Sequence, residues 1–142
     1  MPSIGYRRHD VRHALPGGWA CVLPGRFGVE EEEDGTWHAT DARLDLRFSA
    51  VTYADLGEDA PDTGAIVTAF AGEEAGEAHW LPDRRRDALY ARACVGSSLE
   101  RRALCACFSC GPELAFLTIL FDTDAEELAV SIWRSLERRP GA

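Results

Sequence analysis

The sequence predicts an α+β fold in which an antiparallel β-sheet packs against a C-terminal helix and one further helix. Three observations point to this fold class. One segment alternates apolar and polar residues, an Asp-Gly pair marks a tight hairpin, and a later segment carries apolar residues at helical spacing. Alternation with a period of two gives a strand one buried and one wet face, and antiparallel sheets are the sheets that can leave a face in water.

The size of the chain predicts one domain. With 142 residues, of which 46% are hydrophobic and 27% are charged, the chain can bury a core without a disulfide or a metal to hold it together. We expect an irregular N-terminal arm over residues 1–18 and a single α+β domain over residues 19–142.

Charge and cysteine content limit the partners and the compartment. The formal net charge is −9, and arginine supplies all 15 basic residues because the chain contains no lysine. An acidic protein has little non-specific affinity for nucleic acid or for anionic membrane surfaces. The five cysteines are an odd number, and the N-terminal segment lacks the apolar core of a secretory signal. We therefore expect a cytoplasmic protein that binds neither nucleic acid nor membranes.

The first part of the chain predicts a short strand and a hairpin. The strand covers Trp19–Leu23 and ends at Pro24-Gly25. The pair Asp34-Gly35 is a strong hairpin signal, and arms over residues 26–33 and 36–53 flank it. The second arm predicts a half-buried strand because its apolar positions alternate. The inward-facing residues of that strand are Leu44, Leu46, Phe48 and Ala50.

The middle of the chain predicts a helix, followed by further strands. After a loop over residues 55–62, Asp62 caps a helix that runs to about Ala71 and ends at Gly72. Ile66, Ala69 and Phe70 share one face of this helix, and a strand remains the alternative for the segment. Four strands are then expected, over Glu77–Leu81, Ala88–Val95, Arg102–Cys110 and Leu114–Phe121, with turns at Gly96–Ser98 and Gly111-Pro112. The last of them is apolar on both faces and is expected in the middle of the sheet.

The C-terminal segment predicts a helix that packs on the sheet. Thr123 and Glu126 have the spacing of a capping box. Arg134, Arg138 and Arg139 follow at the other end, where positive charge suits the helix dipole. The apolar stripe of this helix consists of Ala125, Leu128, Ala129, Ile132 and Leu136.

The order of these elements carries a resemblance to a known fold. Leu23–Phe27 precedes the hairpin at Asp34-Gly35, and Phe121–Asp124 precedes a helix that ends in Ile132–Leu136. With the alternating strand and the late meander between them, these segments resemble the PsbP-like fold. That fold is shared by an extrinsic subunit of photosystem II, the Mog nuclear-transport proteins and bacterial DcrB-type proteins. The resemblance implies a mostly non-enzymatic protein that acts by binding other proteins, and it identifies no binding residues.

Three cysteines lie within one predicted strand, and they can be read in two ways. Cys105, Cys107 and Cys110 are candidate ligands for zinc or an iron–sulfur cluster. On a strand, however, Cys105 and Cys107 share one face while Cys110 points to the other, and a distant second pair of ligands is absent. Buried cysteines also pack as small apolar side chains. Packing is the favoured interpretation, and metal binding and thiol redox chemistry remain open.

A basic cluster and a tryptophan predict the main interaction surface. Three arginines follow Pro82-Asp83 in what we expect to be an exposed turn, and a tryptophan lies just upstream. Aromatic side chains beside arginines are enriched at protein interfaces. The candidate protein-binding residues are therefore Trp80, Arg84, Arg85 and Arg86, with Trp37 at the first hairpin as the second choice. The acidic run Glu30–Asp34 predicts a charged edge strand that resists edge-to-edge pairing.

The chain contains no recognisable catalytic motif. Neither the G-x-S-x-G turn of serine hydrolases nor a glycine-rich phosphate loop is present, so we predict no catalytic residue and no cofactor. The leading hypothesis is a non-enzymatic protein-interaction module, monomeric or homodimeric, whose partner is another protein. One alternative is a small-molecule- or metal-binding protein, which includes an enzyme of unrecognised type. Another is an immunity or chaperone-like protein for a basic partner, which rests on acidic charge and small size.

Overall fold

The structure confirms the predicted α+β fold, with an antiparallel sheet and a C-terminal helix. The computed structural model describes residues 10–25, 27–72, 78–98 and 101–139. Its strands are β1 (Asp10–Ala14), β2 (Trp19–Pro24), β3 (Gly28–Glu31), β4 (Trp37–Thr40), β5 (Leu44–Thr52), β6 (Ala78–Trp80), β7 (Arg84–Arg86), β8 (Leu89–Ser98), β9 (Arg101–Cys110), β10 (Glu113–Phe121) and β11 (Glu137–Arg138). Its helices are α1 (Thr63–Ala69) and α2 (Glu126–Ser135), with short 3₁₀ turns at Pro16–Gly18, Ala54–Asp59 and Thr123–Ala125.

Most of the strands form one large antiparallel sheet. Within the described residues its order is β3-β4-β5-β10-β9-β8-β6, and β7 also pairs with β8. Every pairing in this sheet is antiparallel. Strand β10 lies between β5 and β9, which confirms its predicted place in the middle of the sheet.

One face of the large sheet, called the α2 face from here on, carries the main hydrophobic core. Helix α2 and a small sheet of order β1-β2-β11 pack on it. The ring of Trp19, from β2, lies 6.2 Å from the ring of Phe48 and 5.7 Å from that of Phe108 between centroids. The predicted stripe of α2 faces this core, but Leu128 is half-buried and Trp133 joins the stripe. Burying these apolar side chains is the main stabilising term of the fold.

The opposite face, called the α1 face from here on, is covered only in part by the residues that the structure describes. Helix α1 packs on β8 and β9. The carboxylate of Asp62 caps the helix as predicted, since it accepts a hydrogen bond from the Ala65 main-chain N–H at 3.2 Å. Beyond the helix, Gly72 adopts a left-handed φ of 62° and turns the chain. This segment is therefore a helix and not the alternative strand.

The buried side of α1 differs from the predicted one. The prediction placed Ile66, Ala69 and Phe70 on a common apolar face. Instead Thr63 and Val67 are buried against the sheet, while Ile66 and Phe70 are half-buried and Ala69 is exposed. The helix has only seven residues, so its few apolar positions do not define a face by spacing alone.

The N-terminal arm is not irregular where the structure describes it. Asp10–Ala14 forms β1, which pairs along its whole length with β2. Four of its five residues are exposed. Main-chain hydrogen bonding to β2 therefore defines this strand. The sequence of β1 lacks the alternation of apolar and polar residues by which a strand is predicted. Residues 1–9 of the predicted arm lie outside the described residues.

The second arm of the first hairpin is two strands, not one. Strands β4 and β5 are joined by a turn in which the Asp41 carboxylate accepts hydrogen bonds from the main-chain N–H groups of Arg43, at 2.7 Å, and Leu44, at 2.9 Å. The buried positions change from odd residue numbers in β4 to even numbers in β5. A continuous strand keeps its phase, so this change of phase marks the turn.

Two local predictions near the end of the chain are wrong. Gly96–Ser98 does not form a turn but continues β8 in its pairing with β9. Thr123 and Glu126 do not form a capping box, because a 3₁₀ turn precedes α2 and no side chain caps the helix. The Glu126 carboxylate instead pairs with the guanidinium of Arg102 at 2.8 Å.

Candidate interaction surface

A groove crosses the α1 face beside the end of helix α1. Because α1 packs on β8 and β9, the adjoining surface of β10 and β5 is left open. The groove has a volume of about 540 Å³. It is lined by the residues that end and follow α1 and by residues of three strands, namely Ser49, Ala69, Phe70, Ala71, Gly72, Cys105, Ala106, Phe116, Leu117 and Thr118.

Exposed apolar side chains lie in and around this groove. Phe116 of β10 lines it and is 37% exposed, and Trp80 of β6 is 42% exposed. The ring of Phe70, which also lines the groove, meets the Trp80 ring edge-on with 6.3 Å between centroids. Val51 of β5 is exposed on the same face. Apolar side chains that remain exposed as a contiguous patch are typical of binding sites.

Arg92 holds the tryptophan side of the groove in place. Its guanidinium carbon lies 4.3 Å from the centroid of the Trp80 ring. The same guanidinium donates a hydrogen bond to the main-chain carbonyl of Thr68 at 2.6 Å and lies 3.6 Å from the Asp83 carboxylate. Arg92 therefore connects the end of α1 to the edge of the sheet, and its cation–π contact orders the exposed indole ring.

A second arginine–aromatic pair continues the surface. The guanidinium carbon of Arg85, in β7, lies 3.7 Å from the centroid of the Tyr90 ring. The hydroxyl groups of Tyr90 and Thr68 are 3.4 Å apart. Together these residues form what we call the aromatic–arginine surface, which consists of Phe70, Trp80, Arg85, Tyr90, Arg92 and Phe116.

The structure divides the predicted basic cluster between the two faces of the sheet. Arg84–Arg86 is the strand β7, not an exposed turn, and successive side chains of a strand point to opposite faces. Arg85 lies on the α1 face with Trp80. Arg84 and Arg86 lie on the α2 face, because Arg84 is the register partner of Ala91, which is part of the main core. The structure thus brings Trp80 and Arg85 to one surface and separates the other two arginines from them.

Arg84 stabilises the fold itself. Its guanidinium donates a hydrogen bond to the main-chain carbonyl of Trp133 at 2.7 Å and lies 5.5 Å from the Trp133 ring centroid. This carbonyl belongs to the last turn of α2, where it also accepts a hydrogen bond from the main-chain N–H of the C-cap residue Leu136 at 3.2 Å. Burial lowers the pKa of the Arg84 guanidinium below its usual value, and the nearby Glu137 carboxylate partly opposes that effect.

Trp37 lies in the main core and not on an exposed surface. Its side chain is only 6% exposed and packs in the main core. The imidazole of His13, from β1, covers it with 5.6 Å between ring centroids. The N-terminal strand therefore covers the residue that the hairpin position had suggested as the second candidate.

The three clustered cysteines do not converge on one point. Cys105 and Cys107 pack in clusters on the α1 face, while Cys110 packs against the main core on the α2 face. Burial raises the pKa of the Cys107 thiol to about 12. In the part of the chain that the structure describes, no three histidine, cysteine or acidic side chains are placed to hold a metal ion.

The acidic run of the first hairpin lies at the far edge of the sheet. Strand β3 is the edge strand there, and the Asp34 carboxylate accepts a hydrogen bond from the Thr36 main-chain N–H at 2.9 Å in the hairpin loop. The Glu32 carboxylate pairs with the Arg47 guanidinium at 3.0 Å. Only Glu30 and Glu31 of the run thus lie in the edge strand, and the rest of the run lies in the hairpin loop. The run is at the edge of the sheet opposite to β6 and β7.

Sequence reasoning missed four residues of the aromatic–arginine surface. Tyr90 and Arg92 alternate with apolar residues in a segment that was predicted as a strand, so their common face was available from the period of two. No pattern in the sequence marks Phe70 or Phe116, because their exposure depends on how little of the sheet the short helix covers.

The fold is similar to that of solved structures. The solution structure of cyanobacterial PsbP (CyanoP) from Synechocystis sp. PCC 6803 matches with a TM-score of 0.56 and 14% sequence identity, over 98% of this chain and 97% of that one. This chain has a PsbP-like fold. The predicted resemblance is therefore confirmed at the level of the fold, which by itself does not define a function.

A second solved structure matches over a part of its length. It is a crystal structure from Bacteroides thetaiotaomicron VPI-5482, with a TM-score of 0.57 and 12% identity over 94% of this chain. The chain spans 50% of that protein. No protein-family model and no curated protein matches the sequence. Within the described residues, no helix has the length and the apolar character that a membrane crossing needs.

Proposed function

We propose that this PsbP-like protein is a non-enzymatic interaction module that binds another protein through the groove and the aromatic–arginine surface. The observation that carries the proposal is the incomplete cover of the α1 face. Helix α1 leaves a groove of about 540 Å³ with Phe116 exposed in it and Trp80 exposed beside it. Protein interfaces are enriched in aromatic side chains and in arginine, and this surface presents both.

The arrangement of the side chains supports a binding role. Trp80 is held by Arg92 at 4.3 Å and by the ring of Phe70 at 6.3 Å, so the indole has little freedom to lose when a partner binds. Affinity rises when contact groups are already ordered in the free protein, because less conformational entropy is lost on binding. Tryptophan, tyrosine and arginine are also the residues that most often dominate the binding energy of an interface.

The resemblance of the fold supports a role without catalysis. PsbP-like proteins are mostly non-enzymatic, and the resemblance to cyanobacterial PsbP extends over nearly the whole chain. We place the protein in the cytoplasm, where its odd number of cysteines is expected, and we propose that it works as a monomer or a homodimer.

The groove also fits a second candidate function, which is small-molecule binding. Its volume of about 540 Å³ lies inside the range of roughly 300–1,000 Å³ that is common for ligand pockets. Its lining combines aromatic carbon with the hydroxyl groups of Ser49 and Thr118. Under this alternative the groove would retain a small molecule instead of a polypeptide.

Native mass spectrometry of the protein captured from its own cells separates the two candidates. The proposal predicts a second polypeptide in stoichiometric amount, which is lost with Phe116→Ser and with Trp80→Ala. A matched control is Leu56→Ser, which changes a residue that is 51% exposed in a 3₁₀ turn and outside the groove lining. Retention of the same polypeptide by all three variants would exclude this surface, and a retained small mass without a polypeptide would favour the ligand pocket.

A further inference from the structure

A second cavity lies on the α2 face, at the seam between strands β7 and β11. It has a volume of about 500 Å³. The two arginines of β7 that point away from the aromatic–arginine surface line it, together with an arginine of β11 and apolar groups of β8 and β9. Its lining residues are Arg84, Arg86, Asp87, Ala88, Leu89, Cys110, Glu137 and Arg138.

We propose that this cavity binds a small organic monocarboxylate, with the carboxylate between the arginines and the apolar part of the ligand against Leu89 and Cys110. This site is separate from the groove on the α1 face, so the inference does not depend on the proposed partner protein.

The charges around the cavity favour a ligand that carries a single negative charge. The guanidinium groups of Arg84, Arg86 and Arg138 line the cavity together with the carboxylates of Asp87 and Glu137. Two neighbouring charges belong to the same cluster, because Glu137 pairs with Arg12 at 2.9 Å and Arg138 lies 4.0 Å from the Glu113 carboxylate. The cluster therefore holds four guanidinium groups and three carboxylates. The excess is one positive charge, in a protein whose formal net charge is −9. Guanidinium groups bind carboxylates with paired, charge-assisted hydrogen bonds. A monocarboxylate would neutralise the excess, whereas a dianionic phosphate would leave a net negative charge in the cavity.

The surroundings of the Arg84 guanidinium favour a bound anion. The guanidinium is half-buried, and its hydrogen bond to the Trp133 carbonyl uses one of its five N–H groups. Burial lowers the pKa of Arg84 because the surrounding charges only partly replace the lost water. The carboxylate of Glu137 is shared with Arg12, to which it is bound at 2.9 Å. A bound carboxylate would place a further negative charge beside Arg84 and would stabilise its charged, partly buried guanidinium.

The apolar part of the cavity is suited to contact the hydrocarbon part of the ligand. Leu89 and Cys110 are register partners in β8 and β9, and both are half-buried side chains packed against the main core. The burial that covers Cys110 also raises the pKa of its thiol, so at neutral pH the group is an uncharged wall. A short alkyl chain that follows the carboxylate can cover this wall and gain the free energy of apolar burial.

The test uses hexanoate as the probe and the intact protein, with amide chemical shifts followed by NMR. We expect saturable shifts at Ala88, Leu89 and Cys110, and a dissociation constant that increases about tenfold with Arg86→Gln, the change expected from losing one charge-assisted contact. Arg85→Gln is the matched control, because Arg85 is the neighbouring residue of the same strand but faces the α1 face. It should leave hexanoate binding unchanged, and the spectra of both variants report whether the fold is intact.

Each comparison can overturn a separate part of the inference. Absence of saturable hexanoate shifts, or equal weakening by Arg86→Gln and Arg85→Gln, would remove the site. Equal affinity for 1-hexanol and hexanoate would show that the negative charge of the ligand does not contribute to binding. Tighter binding of hexyl phosphate than of hexanoate would overturn the assignment to a monocarboxylate, and equal affinity for acetate and hexanoate would contradict the role of the apolar wall.

Discussion

The guanidinium of Arg84 donates a hydrogen bond of 2.7 Å to the main-chain carbonyl of Trp133 and so joins the edge strand β7 to the last turn of helix α2. The same guanidinium lies 5.5 Å from the Trp133 ring centroid. A residue that sequence reasoning assigned to a binding surface thus contacts the carbonyl end of the helix that closes the main core.

Replacing Arg84 with methionine should destabilise the protein. The variant keeps most of the aliphatic length but loses the charge-assisted hydrogen bond to a helix-end carbonyl, which is worth about 1.5–3 kcal/mol. Urea denaturation should show a lower midpoint with an unchanged slope. Arg85→Met, whose guanidinium is exposed and stacks on Tyr90, is the control and should change the free energy of unfolding by about 1 kcal/mol or less. Equal losses for the two variants would contradict the structural role of Arg84.

Gly72 should tolerate no side chain. A Cβ atom at this position would collide with the Cys94 sulfur, and the residue has a left-handed φ of 62°. Gly72→Ala should lower the free energy of unfolding by about 1–2 kcal/mol for the left-handed backbone and by about 1–3 kcal/mol more for the overpacking. Thermal denaturation of the variant measures the sum.

Two further variants separate these two contributions. Gly111→Ala has a φ of 60°, close to that of Gly72, with no neighbouring atom within 4 Å of the new Cβ, so it should show the backbone contribution alone. Replacing Cys94 with alanine in the Gly72→Ala background removes the colliding sulfur and should recover part of the loss. If Gly111→Ala and Gly72→Ala were equally destabilised, close packing at Gly72 would have no energetic effect.

Stability should fall as the pH rises from about 9 to about 12. Burial raises the pKa values of the Cys21 and Cys107 thiols from their usual value of 9.0 to about 12. Across that interval the unfolded chain releases these protons while the folded protein retains them, so ionisation favours the unfolded state. Cys107→Ala should be less stable at neutral pH but should lose less stability across the interval. Denaturant midpoints measured at several pH values would refute the account if the two proteins declined in parallel.

The turn at Asp41 should be sensitive to acid. Burial opposes ionisation of this carboxyl, but hydrogen bonds from Arg43 and Leu44 outweigh burial and lower its pKa below the usual 3.8. The lowered pKa stabilises the folded state above pH 3.8, and this contribution disappears as the pH falls through the folded-state value. Asp41→Asn should therefore cost about 1–2 kcal/mol at neutral pH, and the two unfolding curves should converge in acid. A constant difference at every pH would exclude the charge of Asp41 as the cause.

The main layers of the fold follow from periodicities in the sequence. The inward positions of β5, from Leu44 to Phe48, and the stripe of α2 bury large apolar side chains at regular spacing, and this regularity is visible without a structure. Strand β1 was missed because its residues are mostly exposed and only main-chain pairing makes it a strand. The break between β4 and β5 could have been predicted, because the apolar residues shift from odd numbers, at Trp37 and Ala39, to even numbers from Leu44 onward.

The candidate surface was predicted only in part. Trp80 and the basic segment were identified from composition, but three identical arginines in a row give no contrast that tells which of them faces the core. Phe116 is one of many apolar residues in β10, and it is exposed because α1 has only seven residues and covers only part of the sheet. Such exposure depends on the length and position of a distant element, and no local pattern contains that information.

The most direct test of the central claim is amide hydrogen exchange of the protein alone and in complex with the polypeptide that it captures. The account predicts slower exchange on binding in the segment that ends α1, in β6 and in the open parts of β5 and β10 around Phe116, with no change in the hairpin of β3 and β4. Protection confined to that acidic hairpin, with the groove unaffected, would contradict the claim and would place the partner at the other edge of the sheet.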